Sequence, residues 1–233
     1  VHAGVTGRRG GTSTGPYATW NLADHCGDDP GAVAANRQRL RDGLGLPSEP
    51  RWLRQVHGNR VVALPGPDPR APEADGAYTR ESGLVCAVLT ADCLPVLITA
   101  RDGSVMAAAH AGWRGLAAGI VEATVDALGH APDQLQAWLG PAIGPTAYTV
   151  GETVRDAFRA QDPKHTAAFR RDPAGGWFAD LYTLARQRLA HRGVEAIYGG
   201  RHCTWSEHAT FFSYRRDGTT GRMASLIWRD PSI

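Results

Sequence analysis

Cys93, His110 and Arg114 bring a thiol, an imidazole and a guanidinium into one short stretch of chain. A thiol beside an imidazole supports chemistry of two kinds: a soft N/S ligand set suited to Zn²⁺ or copper, or a nucleophile with its base. A buried Cys–His contact in an ordinary core is the third reading. The surrounding sequence predicts how the groups meet. Val85–Leu89 and Val96–Thr99 are apolar runs short enough for buried strands, separated by Thr90-Ala91-Asp92-Cys93. Asp102-Gly103 predicts a two-residue type I′ turn, after which Val105–Ala109 returns to His110. That register sets His110 opposite Pro95 and Cys93 opposite Gly112. Cys93 and His110 are then diagonal neighbours on one face, offset by roughly 7 Å of strand rise. Pro95 has no N–H to donate and predicts an irregular start to its strand. Ala111–Gly115 turns into a helix predicted over Leu116–Leu128. A Gly-rich turn at a helix start favours anions, and Arg114 adds a fixed cation there. The same composition also occurs in turns that bind nothing.

The elements that must position these groups are alternating strands and helices. Asp28-Asp29-Pro30 predicts the start of a helix running to Leu44. Trp52–Gly58 reads as a strand ending in His57, and Val61–Leu64 as a second, followed by a Pro-rich linker over 65–72. Glu73–Ala77 places Asp75 near a sheet edge. Ala137–Leu139 predicts a strand that closes in the irregular Gly140–Pro145, and Gly151–Ala160 a helix. Residues 161–176 read as a polar, flexible insert. Asp180 predicts the cap of a helix to His191. Ala196–Gly199 and Met223–Trp228 are the last predicted strands, the latter after a turn at Asp217–Thr220. With no internal repeat and no composition break, residues 1–233 read as one α+β domain.

Composition narrows the function. The chain has 233 residues, 42% of them hydrophobic, enough for a sizeable core, and no run approaches a membrane span of roughly 18 apolar residues. A net charge of +2 with scattered arginines argues against a nucleic-acid binder. Four cysteines without a CxxC make neither a disulfide framework nor a zinc ribbon, so reduced thiols in the cytoplasm are expected. The sequence begins at Val1 and shows no apolar signal segment.

Several longer motifs stand in a recognisable order: QVHGNRV (55–61), ADG (74–76), LTADCLPVLI (89–98), AAHAGWRGLAAGIV (108–121), WLGPAIGP (138–145) and FFSYRRDGTTGRMAS (211–225). With GGTSTGPYATWNLADHCGDD (10–29) and ANRQRL (35–40), the chain resembles, over nearly its whole length, the laccase-domain or multicopper polyphenol oxidase family. That family is also called peptidoglycan editing factor, and some members are described as purine nucleoside phosphorylases with adenosine deaminase activity. The resemblance implies mixed β-sheets in a layered sandwich flanked by helices, a fold shared in outline with cysteine-hydrolase-like bacterial toxins. It implies one open zinc site held by His57, Cys93 and His110, which copper would also fit.

The implied substrates are phosphate and a purine nucleoside: adenosine, inosine, guanosine or methylthioadenosine. Phosphorolysis needs cations around phosphate, for which Arg37, Arg114, Arg215 and Arg216 are candidates, with Ser213 as a further substrate contact. Deamination needs a carboxylate to move protons, and Asp75 and Asp92 are the candidates. The HxE…PCxxC pattern of cytidine-deaminase zinc sites is absent. Nine histidines without an HxH pair argue against true laccase chemistry. The alternatives are a peptidoglycan-precursor hydrolase in which Cys93 is nucleophile and His110 its base, or weak copper-dependent polyphenol oxidase activity from the same ligand set. A monomer or small homo-oligomer with no membrane or nucleic-acid partner completes the expectation.

Overall fold

The computed structural model of the chain describes residues 1–65 and 71–231. Most of the predicted 65–72 linker lies outside the described residues. The strands are β1 (His2–Val5), β2 (Val61–Leu64), β3 (Gly76–Thr79), β4 (Val85–Thr90), β5 (Leu94–Ala100), β6 (Met106–Ala111), β7 (Leu135–Leu139), β8 (Thr149–Val150), β9 (Phe169–Arg171), β10 (Trp177–Ala179), β11 (Ala196–Gly199) and β12 (Met223–Trp228). The helices are α1 (Pro30–Leu44), α2 (Trp113–Ala118), α3 (Ile120–Leu128), α4 (Glu152–Arg159), α5 (Leu181–His191) and the single turn α6 (Tyr214–Asp217). A six-stranded mixed sheet runs β11-β7-β5-β6-β3-β2, a three-stranded antiparallel sheet runs β1-β12-β4, and a small sheet runs β8-β10-β9.

Side-chain parity sorts the core into layers, because alternate residues of a strand face opposite sides. Val96, Ile98, Ala107 and Ala109 face Ile120, Val121 and Val125 of α3 and Leu184 and Leu189 of α5. Leu97, Met106 and Ala108 face the other way, onto Cys86, Val88 and Ile227 of the three-stranded sheet. That sheet's outer face, with Val85, Ala87 and Leu226, is covered by Leu22, Leu40 and Leu46. The order is therefore helix, sheet, sheet, helix, an α+β domain with helices on the outside. Among the described residues no helix is long and apolar enough to cross a membrane.

The predicted register holds: Pro95 pairs with His110 and Leu97 with Ala108. His110 consequently shares the inter-sheet face with Met106 and Ala108. The turn differs. Gly103 alone has positive φ (73°), and its N–H donates to Ala100 O, so the chain reverses over a wider loop than the predicted type I′ pair. Pro95 lies inside regular β5, tolerated because the β7 ladder begins only at Val96. The predicted helix over Leu116–Leu128 is two helices, interrupted where Gly119 (φ 89°) ends α2. Trp52–Gly58 is not a strand: only Arg51 and Arg54 make isolated bridges, and His57 has φ 62°. Residues 161–176 are built into the fold, with a 3-10 helix over Pro163–Ala168 leading into β9 and β10. There His165 is buried, and its Nδ1–H donates to Phe158 O at 3.1 Å.

Candidate functional site

Three chain segments meet where β4 ends and β6 runs out. Thr90-Ala91-Asp92-Cys93 links β4 to β5 with Asp92 at φ 99°, a geometry that sharply reverses the chain and leaves Cys93 half-buried beside the inter-sheet face. His110, at the end of β6, is buried. His57 enters from the loop before β2. The donor atoms of His57, Cys93 and His110 all lie within 4.8 Å of one another, with His57 Nε2 at 3.9 Å from Cys93 Sγ. The two imidazoles meet edge to face, their centroids 4.8 Å apart and their planes at 77°.

Asp75, just before β3, holds this arrangement together. It is fully buried, and its carboxylate accepts the backbone N–H groups of Val56 (3.2 Å), His57 (2.9 Å) and Gly58 (2.7 Å). The same carboxylate accepts His110 Nδ1–H at 2.8 Å, while Asp75 O accepts His110 N–H at 2.7 Å. One side chain thus fixes both the loop that carries His57 and the tautomer of His110, whose Nε2 is left for Cys93 or a metal. Gln55 fastens the same loop to the end of β4, donating to Leu89 O and accepting from Leu89 N–H.

The charges are coupled. Burial opposes ionisation of Cys93, but His110 and His57 outweigh it and hold the thiol down at about 6. Burial likewise opposes the imidazolium of His110, and the Cys93 sulfur and Asp75 outweigh that, raising it to about 9. Asp75 lies below its ordinary range because the hydrogen bonds from His110, Gly58 and Val56 overcome its burial.

The donor set fits a metal. Tetrahedral zinc with Zn–N near 2.0 Å and Zn–S near 2.3 Å places N and S roughly 3.6 Å apart, close to the spacing of His57 Nε2 and Cys93 Sγ. The oriented His110 is the carboxylate–histidine arrangement common at such sites. Gly112 is the close-packed residue beneath it: a Cβ there would stand 2.8 Å from Cys93 Sγ and 3.2 Å from His57 Cδ2. A cavity of about 480 Å³ opens over the cluster, walled by His25, Gln55, Thr90, Arg114, Tyr214 and Arg222. Arg114 lies over the Trp113 ring, its guanidinium 4.6 Å from the ring centroid.

The other sequence candidates fall in different places. Asp92 accepts Thr204 Oγ1–H (2.6 Å) and Arg215 N–H (2.6 Å), so it anchors the α6 turn beside Cys93. Arg215 donates to Thr149 O and lies over the Tyr148 ring. Arg216 is turned inward onto the carbonyls of Thr204, Trp205 and Phe211, and Ser213 is buried and caps α6 through Arg216 N–H. Arg37 is not brought to the cavity. It donates to Leu22 O, pairs with Asp24 at 3.3 Å and stacks on Trp52. Sequence reasoning did not find Gln55, Gly112, Tyr214 or Arg222. Of these, only Gly112 carried a local signal, as the small residue between His110 and Trp113.

Comparison with known proteins shows which family the chain belongs to. Residues 2–230 match the family described as multi-copper polyphenol oxidoreductase laccase. The chain is 56% identical to the Escherichia coli protein named purine nucleoside phosphorylase YfiH, over 95% of this chain and 90% of that one. It is 52% identical to a Pseudomonas aeruginosa purine nucleoside phosphorylase, over 98% and 93% of the two chains. The crystal structure of a Neisseria meningitidis protein superposes with a TM-score of 0.92 at 48% identity, covering 97% of this chain and 93% of that one. YlmD from Geobacillus stearothermophilus superposes with a TM-score of 0.93 at 37% identity, over 98% and 91%. A metal-competent His₂Cys cluster on this shared fold, with a family match spanning almost every residue, places the chain in the multi-copper polyphenol oxidoreductase laccase family.

Proposed function

We propose that the chain is a zinc-dependent purine nucleoside phosphorylase that also deaminates adenosine. The observation that carries the reading is the His57–Cys93–His110 cluster at the floor of a cavity walled in part by Arg114 and Arg222. Its volume lies in the range of small-molecule sites, and the relatives named purine nucleoside phosphorylase lend it a substrate class. Two imidazoles and a thiolate suit zinc and leave a fourth position open. Copper fits the same donors, but a multicopper oxidase needs several sites, and among the described residues there is one such cluster.

A bound zinc would supply Lewis acidity to a substrate oxygen. The protein's own residues do the rest. Arg114, on the cavity wall, offers its guanidinium fork to phosphate, with Arg215 as a second candidate cation, holding its oxygens for attack on C1′ as the C1′–N9 bond breaks and the purine leaves with the electron pair. Tyr214, exposed on the cavity wall, offers a flat face for the base. Asp75 acts through His110, fixing its ring and neutralising its charge. Asp92 acts through Arg215, holding the backbone that carries it. We assign the substrates as adenosine, inosine, guanosine and methylthioadenosine, and the compartment as the cytoplasm.

One observation favours a second reading. His110 stands between Cys93 and Asp75 as the base of a Cys–His–Asp triad would, with the thiol already depressed. A peptidoglycan-precursor hydrolase would use Cys93 as a free nucleophile. The test is adenosine incubated with metal-quantified protein, with and without phosphate, followed by chromatography. Phosphate-dependent adenine, together with inosine and hypoxanthine, all lost on chelation, supports the first reading. No nucleoside product, with alkylation-sensitive hydrolysis of precursor peptides that survives chelation, supports the second.

A further inference from the structure

The hydroxyl of Thr90 is buried without a partner on a residue that walls the cavity over the metal cluster. Thr90 is the last residue of β4, is 2% exposed, and lines that cavity together with His57, Cys93 and His110. Among the described residues its Oγ1 neither donates nor accepts a hydrogen bond. Strand parity gives the direction of the side chain. Cys86 and Val88 face the six-stranded sheet, where Met106 and Ala108 meet them, and Cys86 Sγ stands 4.0 Å from Met106 O. Thr90 shares the parity of Cys86 and Val88, as His110 shares that of Met106 and Ala108. The side chain therefore turns toward the face that carries His110. Its cross-strand neighbour is Met223, whose sulfur already accepts Phe212 N–H at 3.1 Å.

The fold does not ask for a hydroxyl at this position. Valine has the same shape and the same preference for strands, and it would leave no O–H unpaired. Buried hydroxyls normally find partners, and one left alone costs stability. The buried strand threonines Thr79 and Thr99 follow that rule, donating to Leu64 O and Val105 O. Around Thr90 the cavity wall supplies charge through Arg114 and Arg222 and a ring through Tyr214. Gln55, also polar and neutral, spends both ends of its amide on Leu89. Thr90 is left as a neutral group able to donate and accept at once, which is the complement of an alcohol.

We propose that Thr90 is a substrate-binding residue whose hydroxyl hydrogen-bonds a ribose hydroxyl of the bound nucleoside, a role that rests on the nucleoside reading above. Rotation about χ1 exchanges hydroxyl and methyl between staggered positions, so the oxygen turns to the cavity without movement of the strand. Thr90→Val removes the oxygen and keeps the shape, whereas Thr90→Ser keeps the oxygen.

The experiment is calorimetric titration of inosine and of 2′-, 3′- and 5′-deoxyinosine into zinc-loaded wild-type, Thr90→Val and Thr90→Ser protein without phosphate, with melting temperatures of all three. The expected result is inosine binding about fivefold weaker in Thr90→Val and close to wild type in Thr90→Ser. One deoxyinosine should bind the wild type as weakly as inosine binds Thr90→Val, and should lose nothing further in that variant. The melting temperature of Thr90→Val should be unchanged or higher, because an unpaired buried hydroxyl gives way to a methyl group. A structural role predicts a lower melting temperature and an equal loss of affinity for all four nucleosides, which would overturn the proposal. Inosine bound equally by wild type and Thr90→Val overturns it too and leaves the nucleoside reading standing. Wild-type protein that binds no inosine at millimolar concentration fails that reading, and the role of Thr90 with it.

Discussion

Replacing Gly112 with alanine adds one methyl group at the most crowded point of the metal cluster. The backbone permits it: Gly112 has φ −65° and ψ 167°, extended values that any residue adopts. The obstacle is steric. The new Cβ would lie 2.8 Å from Cys93 Sγ, about 0.6 Å inside the 3.4 Å at which ordinary contact begins, and 3.2 Å from His57 Cδ2. The sulfur must retreat by at least that amount, whereas a metal tolerates about 0.2 Å in its ligand distances. His57 is pushed the same way and is held against it by Asp75. Losses on disturbing the shell that orients metal ligands run roughly 10–100-fold, and Gly112→Ala is expected to weaken zinc binding within that range. The fold should survive, with overpacking strain of about 1–3 kcal/mol. Competition with a chromophoric chelator gives the affinity, and a thermal melt of the metal-free protein gives the strain. Gly43→Ala is the control, since nothing lies within 4 Å of its Cβ position in α1, and it should leave zinc affinity unchanged. Zinc binding by Gly112→Ala within twofold of wild type would refute the steric reasoning.

Further expectations follow from the same contacts. Asp75→Asn turns an acceptor of four hydrogen bonds into a group with one amide facing N–H donors; it should cost about 3 kcal/mol of stability and weaken metal binding, read by urea denaturation and chelator competition. Metal affinity should rise about tenfold per pH unit from neutrality towards pH 9, because His110, held protonated up to about 9, must release its proton to bind; below about 6 the Cys93 proton is lost as well and the slope steepens. Calorimetry in buffers of different ionisation enthalpy counts those protons, and a pH-independent affinity between 6 and 9 contradicts the assignment. Asn36→Ala should destabilise the fold by about 3 kcal/mol, since buried Asn36 accepts from Thr12 N–H and donates to Ser13 Oγ, Thr19 O and Asn21 O; a denaturation midpoint equal to wild type argues against that hub.

The sequence carried the central hairpin well because strand period and turn position are local properties. The pairing of Pro95 with His110 followed from Asp102-Gly103 even though the turn itself is wider than expected. Caps were legible for the same reason: Asp29 accepts Ala32 N–H and Asp180 accepts Tyr182 N–H, as their positions before helical runs suggested. His57 was misplaced on a strand because its loop has no ladder partner. That loop is shaped by Asp75, eighteen residues further on, through contacts that no local pattern announces. The polar stretch 161–176 looked flexible because its hydrogen bonds and the burial of His165 are tertiary. Arg37 and Arg216 showed the limit for charged residues. A guanidinium in a motif reads as a phosphate ligand, yet these two spend their donors on backbone carbonyls, and only coordinates distinguish the uses.

The most direct test of the central claim is ³¹P NMR of inosine and inorganic phosphate incubated with zinc-loaded wild-type protein and with Cys93→Ala. Phosphorolysis transfers the ribosyl group to phosphate, so a phosphate-ester resonance of a sugar 1-phosphate should grow at the expense of free phosphate with the wild type and stay absent with the variant. A spectrum showing free phosphate alone with the zinc-loaded wild type, or the same ester from Cys93→Ala, would contradict a phosphorylase centred on His57, Cys93 and His110.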